Sequence, residues 1–170
     1  MSWSYALTVE EEALAARTGY LRQEPMLGQP ERNRNYSEGD IWEAWQHMIT
    51  VGSEIAAARM LGLWEFVPHV NTFKSRQDIP GYEVRYSFSK QQGHSLRYNA
   101  AVDIDEEIYI LTAYGLETKT RRSAETNWQG NPYQALGWLY GHECQRAEYL
   151  YKGNSYYVPW RELNPMEVLP

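Results

Sequence analysis

At Tyr82-Glu83-Val84-Arg85-Tyr86-Ser87-Phe88 the chain switches from a helical period to a period of two. Tyr82, Val84, Tyr86 and Phe88 alternate with Glu83, Arg85 and Ser87, the pattern of a half-buried strand. Gln91-Gln92-Gly93 reads as a turn, after which Leu96, Tyr98, Ala100 and Val102 alternate in a second strand. Asp103-Ile104-Asp105-Glu106 turns the chain again, and Ile108, Ile110 and Thr112 continue in a third. Connections this short predict an antiparallel meander, because a parallel crossover takes a dozen or more residues. Residues 135–141 predict a further strand, and Tyr156-Tyr157-Val158-Pro159-Trp160 an edge strand ended by its proline. Residues 116–132 are polar and predict no element.

Upstream of the switch the chain is helical. Thr8 and Glu11 stand in the Ser/Thr-x-x-Glu relation of a capping box, with Glu10, Glu11 and Glu12 placed where the helix dipole favours negative charge. This first helix ends before Pro25. Residues 28–40, rich in Gly, Pro and Asn and containing Arg32 and Arg34, predict a solvated loop. A longer helix runs from about Asp40, a plausible N-cap, to Leu63, with Gly62 as its stop. Trp45, Ile49, Gly52, Ala56, Met60 and Leu63 form its apolar stripe. Glu43, His47, Thr50 and Glu54 lie opposite, although Ala57, Ala58 and Leu61 make its second half apolar on most sides. Helices followed by strands define an α+β chain. It divides into a helical part at about 8–63 and a sheet part at about 82–160 of one domain spanning 1–170.

Composition narrows the function classes. With 22 acidic and 16 basic residues the net charge is −6, which disfavours broad coating of nucleic acid but leaves room for a local basic cleft. The single Cys144 excludes a disulfide framework, an all-cysteine zinc site and the second cysteine that a deaminase reading of His142-Glu143-Cys144 needs. The Asp103–Glu107 acidic turn lacks the spacing of a calcium loop, and no Gly-rich phosphate loop occurs. No apolar run reaches the ~20 residues that span a bilayer, and the N-terminus shows no secretory pattern. A cytoplasmic protein with no membrane partner is expected. The 14 Tyr and 7 Trp, against 3 Phe, predict a core and surface built from rings that keep a polar handle.

The chemistry-bearing segment is Asp78-Ile79-Pro80-Gly81-Tyr82-Glu83-Val84-Arg85. Glu83 and Arg85, two apart on a strand, share a face. A Pro-Gly turn that folds Asp78 back beside Glu83 makes two carboxylates converge, the donor set that Mg²⁺ takes together with waters and phosphate oxygens. With Gly52-Ser53-Glu54-Ile55-Ala56 on the preceding helix and Gly137-Trp138 on a later strand, this pattern resembles the PD-(D/E)XK nuclease-like superfamily. It is similar in particular to the reduced form of that site in small uncharacterised proteins of phages and mobile elements. The resemblance covers roughly residues 8–141 and implies N-terminal helices packed on a mixed or antiparallel β-sheet with a PD-(D/E)XK-like core. It implies a phage-like, metal-dependent nuclease, acting in the cytoplasm of a bacterial host if phage-encoded. Asp78 and Glu83 would hold Mg²⁺ (Mn²⁺ as substitute), Glu54 would orient water or a second ion, and Arg85 would engage the phosphate. Arg85 stands where the family has Lys, and a guanidinium cannot serve as a general base. The usual second helix after the strands is also not visible. The alternative is therefore a catalytically degenerate module that binds nucleic acid or protein, such as a phage accessory or virion-associated protein. A third reading is an inhibitor of host defence acting through its Tyr- and Trp-rich surface.

Overall fold

The computed structural model describes residues 3–23, 40–70, 77–87, 93–114 and 132–170, and of Gln23 and residues 40–44 the backbone only. Pro25, the arginine-bearing loop, Phe88, the turn at Gln91-Gln92 and residues 116–131 lie outside the described residues.

The chain opens with β1 (Ser4–Tyr5), then α1 (Val9–Gln23) and α2 (Asp40–Met60). The predicted capping box is formed: Thr8 Oγ1 accepts the Glu11 N–H at 3.2 Å and Glu11 Oε2 accepts the Thr8 N–H at 3.0 Å. The other oxygen of Glu11 takes Arg59 Nε at 2.7 Å, which ties the start of α1 to the end of α2. Gly19 lies against the backbone of Met48, so the two helices run side by side in opposite directions. Gly62, at φ +78°, ends α2 in a Schellman turn: Leu63 N–H donates to Ala58 O and Gly62 N–H to Arg59 O.

Six further strands follow: β2 (Tyr82–Ser87), β3 (Ser95–Asn99), β4 (Ile108–Tyr114), β5 (Tyr133–Tyr140), β6 (Leu150–Lys152) and β7 (Ser155–Pro159). The fold is α+β with a mixed four-stranded sheet, ordered β1-β5-β4-β2, and an antiparallel three-stranded sheet, ordered β3-β7-β6. The expected meander is not formed. β2 and β4 pair in parallel, Val84 opposite Ile110, and the intervening β3 leaves to pair with β7. A short link forces antiparallel pairing only when consecutive strands are partners, and here they are not. β3 also stops at Asn99, with Ala100 and Val102 in the following turn. β7, expected at an edge, is the central strand of its sheet.

The mixed sheet is the middle of three layers. On one face Tyr114 and Tyr133 pack with Trp45, Ile49 and Ile55 of α2; on the other, Tyr109 and Leu111 pack with Leu96, Tyr98 and Val158 of the small sheet. That is why β4 is buried from Tyr109 through Tyr114. A bulge at Leu136, opposite the Leu111–Thr112 step, keeps both β5 faces in register with these layers. β2 is left as the open edge of the mixed sheet, and the cleft forms there.

Candidate functional site

The turn before β2 does what its sequence predicts. Ile79 and Tyr82 exchange backbone hydrogen bonds across Pro80-Gly81, and Gly81 takes φ +91°, the left-handed value at the third position of a type II turn. Gln77 Oε1 accepts the Gly81 N–H at 2.7 Å. Asp78 is thereby folded back along β2, where its Oδ2 accepts the Val84 N–H at 3.0 Å. The side chain occupies the place a neighbouring strand would take, so it caps the open edge.

Val84 points to the helices, packing with Ala57, Ala58 and Ile79. Glu83 and Arg85 point to the opposite face, as their spacing requires. Arg85 Nη1 lies 3.1 Å from Glu83 Oε2 and 3.8 Å from Asp78 Oδ2; Nη2 lies 2.9 Å from Asp103 Oδ1. Its guanidinium sits over the Tyr109 ring, 5.2 Å from the centroid. Asp103 is held in turn by the Asn99 N–H at 2.7 Å. The acidic turn that lacks calcium-loop spacing therefore supplies a partner to Arg85.

Glu54 reaches the same cleft from α2. It is 1 % exposed, and both carboxylate oxygens are taken by Arg22 of α1, at 2.6 and 2.8 Å. Arg22, 4 % exposed, also donates from Nε and Nη2 to His69 O, at 2.9 and 2.7 Å. A buried, bidentate ion pair thus fixes Glu54. Burial pushes its carboxyl up to about 7, with Arg22's hydrogen bonds pulling the other way and the charge of Asp78 adding to the rise.

Glu54, Asp78, Glu83 and Arg85 all line one cleft of about 1110 Å³, together with Arg22, Asp103, Glu107, Arg97 and Tyr109. They stand there as two ion-paired groups, Arg22 with Glu54, and Arg85 with Glu83, Asp78 and Asp103. Burial raises Glu83's carboxyl to about 8, reinforced by the charge of Asp78 and opposed by that of Arg85. Among the described residues no three His, Cys, Asp or Glu side chains form a group that could hold a metal ion by themselves.

Arg22, Asp103 and Glu107 are site residues that the sequence reading did not single out. Arg22 is 32 residues from its partner, and no local pattern joins them. The acidic turn was visible, but only its failure as a calcium loop could be read from spacing. Compared with family models, with curated proteins and with solved structures, the chain matches none. Among the described residues no helix is long and apolar enough to cross a membrane.

Proposed function

We propose that this cleft hydrolyses phosphodiester bonds in nucleic acid with the help of a divalent cation, in the manner of a PD-(D/E)XK-type nuclease with a reduced site. The observation that carries the reading is the Asp78–Glu83 carboxyl pair at the mouth of β2, beside the Arg85 guanidinium. The donor set suits a hard cation, because Mg²⁺ uses one or two carboxylates and completes its shell with waters and phosphate oxygens. When bound, such an ion polarises a phosphoryl oxygen and lowers the pKa of a water. Asp78 and Glu83 would hold it, Glu83 giving up its proton. Arg85, always charged, would contact a non-bridging phosphate oxygen. Glu54 acts through Arg22, holding that guanidinium on the cleft wall.

The test is incubation of the full chain with single- and double-stranded DNA and with RNA, in Mg²⁺, Mn²⁺ or EDTA. Cleavage is expected with metal, none in EDTA, and a loss of at least ~100-fold in Asp78→Asn and in Glu83→Gln. Asn keeps an acceptor for the Val84 N–H, so the edge cap survives. No cleavage of any substrate with either metal refutes the reading.

A second reading is a non-catalytic module. It is favoured by Arg85, which stands in place of a lysine base and is clamped on its far side by Asp103. Metal-independent binding without cleavage supports it.

A further inference from the structure

We infer that the outer face of the three-stranded sheet binds single-stranded nucleic acid, as a stacking surface continuous with the cleft through Arg97. Strands β3, β6 and β7 carry Arg97 and Lys152 and no acidic residue, in a chain of net charge −6. Leu96, Tyr98 and Val158 point inward to the mixed sheet, so alternation turns Arg97 and Tyr157, which are cross-strand partners, outward. Tyr157 is 37 % exposed and Tyr151 of β6 is 72 % exposed, their ring centroids 4.8 Å apart. Trp160, directly after β7, is 39 % exposed, with the Arg161 guanidinium 5.7 Å from its ring. Arg97 also lines the cleft wall, so the aromatic surface and the carboxyl pair lie on one continuous path.

Exposed rings interleaved with cations are what an unpaired strand requires. Each base offers a π-face to a ring, and its phosphates take the Arg and Lys charges. A duplex hides its base faces, so it gains only the phosphate contacts. Glu148 and Glu162 flank the patch, each with an arginine nearby in sequence, Arg146 and Arg161. As the substrate class of the cleft, this inference rests on the hydrolase reading above; as a binding surface it stands apart from it.

The experiment is fluorescence anisotropy of a labelled 20-mer oligodeoxythymidine, single-stranded and annealed to its complement, titrated with the full chain in EDTA at low salt. The single strand is expected to bind at least ~10-fold tighter than the duplex. Tyr151→Ala with Tyr157→Ala weakens single-strand binding by at least ~10-fold, while the corresponding Phe pair, which keeps the rings, holds it within about twofold. Arg97→Ala reduces the salt slope of log K by about 0.7, one phosphate contact on a single strand. Circular dichroism melts confirm that these surface variants fold. Absence of single-strand binding, equal binding of duplex, or an Ala pair as tight as the wild type overturns the inference. Ring-dependent binding without cleavage in any metal sinks the hydrolase and leaves the surface standing; cleavage with ring-independent binding does the reverse.

Discussion

Replacing Arg22 by Met strands the Glu54 carboxylate. The wild-type pair is almost fully enclosed, 4 % and 1 % exposed, and Glu54 receives both of its charged hydrogen bonds from this one guanidinium. Water cannot take over for a lost partner at that depth. Removing one member of a buried pair costs about 3–5 kcal/mol, against a total stability of about 5–15 kcal/mol. With a urea m-value of roughly 2 kcal/mol/M, the midpoint falls by about 2 M. The loss depends on pH. Burial already raises Glu54's folded pKa to about 7 with Arg22 opposing; without Arg22 it rises further above the unfolded value of 4.5. Above 4.5 the folded state holds a proton the unfolded chain has released, so stability falls with rising pH in both proteins up to about pH 7, and above that the variant continues to fall where the wild type levels off. The destabilisation is therefore largest at pH 8 and small near pH 4.5. The double variant Arg22→Met, Glu54→Leu removes both charges and recovers most of the loss, to within about 1–2 kcal/mol of the wild type. Urea unfolding followed by tryptophan fluorescence at pH 5 and pH 8 measures all three. A loss below about 1 kcal/mol at pH 8, or a double variant no better than the single, would show that solvent reaches the pair and refute the argument.

Two further outcomes follow from the geometry. Glu83, raised to about 8 when folded and ordinary when unfolded, makes the wild type lose stability as pH rises from about 5 to 8; Glu83→Gln removes its share of that slope, and unchanged urea midpoints across the range in both proteins would contradict it. Gly19→Ala places a methyl 2.5 Å from Met48 N and 2.7 Å from Met48 Cα, backbone atoms that cannot swing away, so α1 and α2 must separate. A net cost of about 1–3 kcal/mol is expected despite alanine's better helix propensity, seen as a lower thermal midpoint; an unchanged or raised midpoint would mean the helices are not in that contact.

What could be read in the residues themselves was local. The Thr8–Glu11 box, the Gly62 stop and the Pro80-Gly81 turn each depend on groups within a few positions, and each forms with the partners its spacing specifies. The period of two marked β2, β3 and β4 because side-chain alternation is a property of one strand. Asp78, Glu83 and Arg85 could be brought together on paper because a four-residue turn and a two-residue step are enough to do so.

Partnership between distant segments was a different matter. Alternation says which residues share a face and nothing about which strand lies alongside. The departure of β3 to join β7, some 60 residues later, turned an expected meander into a parallel β2–β4 pair. Glu54 stood opposite the apolar stripe of its helix and was read as a site residue, but its buried ion pair could not be foreseen, because its companion Arg22 belongs to another helix. Asp103 read only as part of an acidic turn without calcium-loop spacing, and became the third carboxylate on Arg85 once β4 lay beside β2. The chain alone determined its two helices, the strands β2, β3, β4, β5 and β7 in outline and the Asp78–Arg85 segment, since short-range sterics and hydrogen bonding fix those, whereas β1 and β6 exist only through their partners. Tertiary packing decided strand pairing, the burial of Glu54 and the charge balance of the cleft, because these depend on which distant surfaces exclude water from one another.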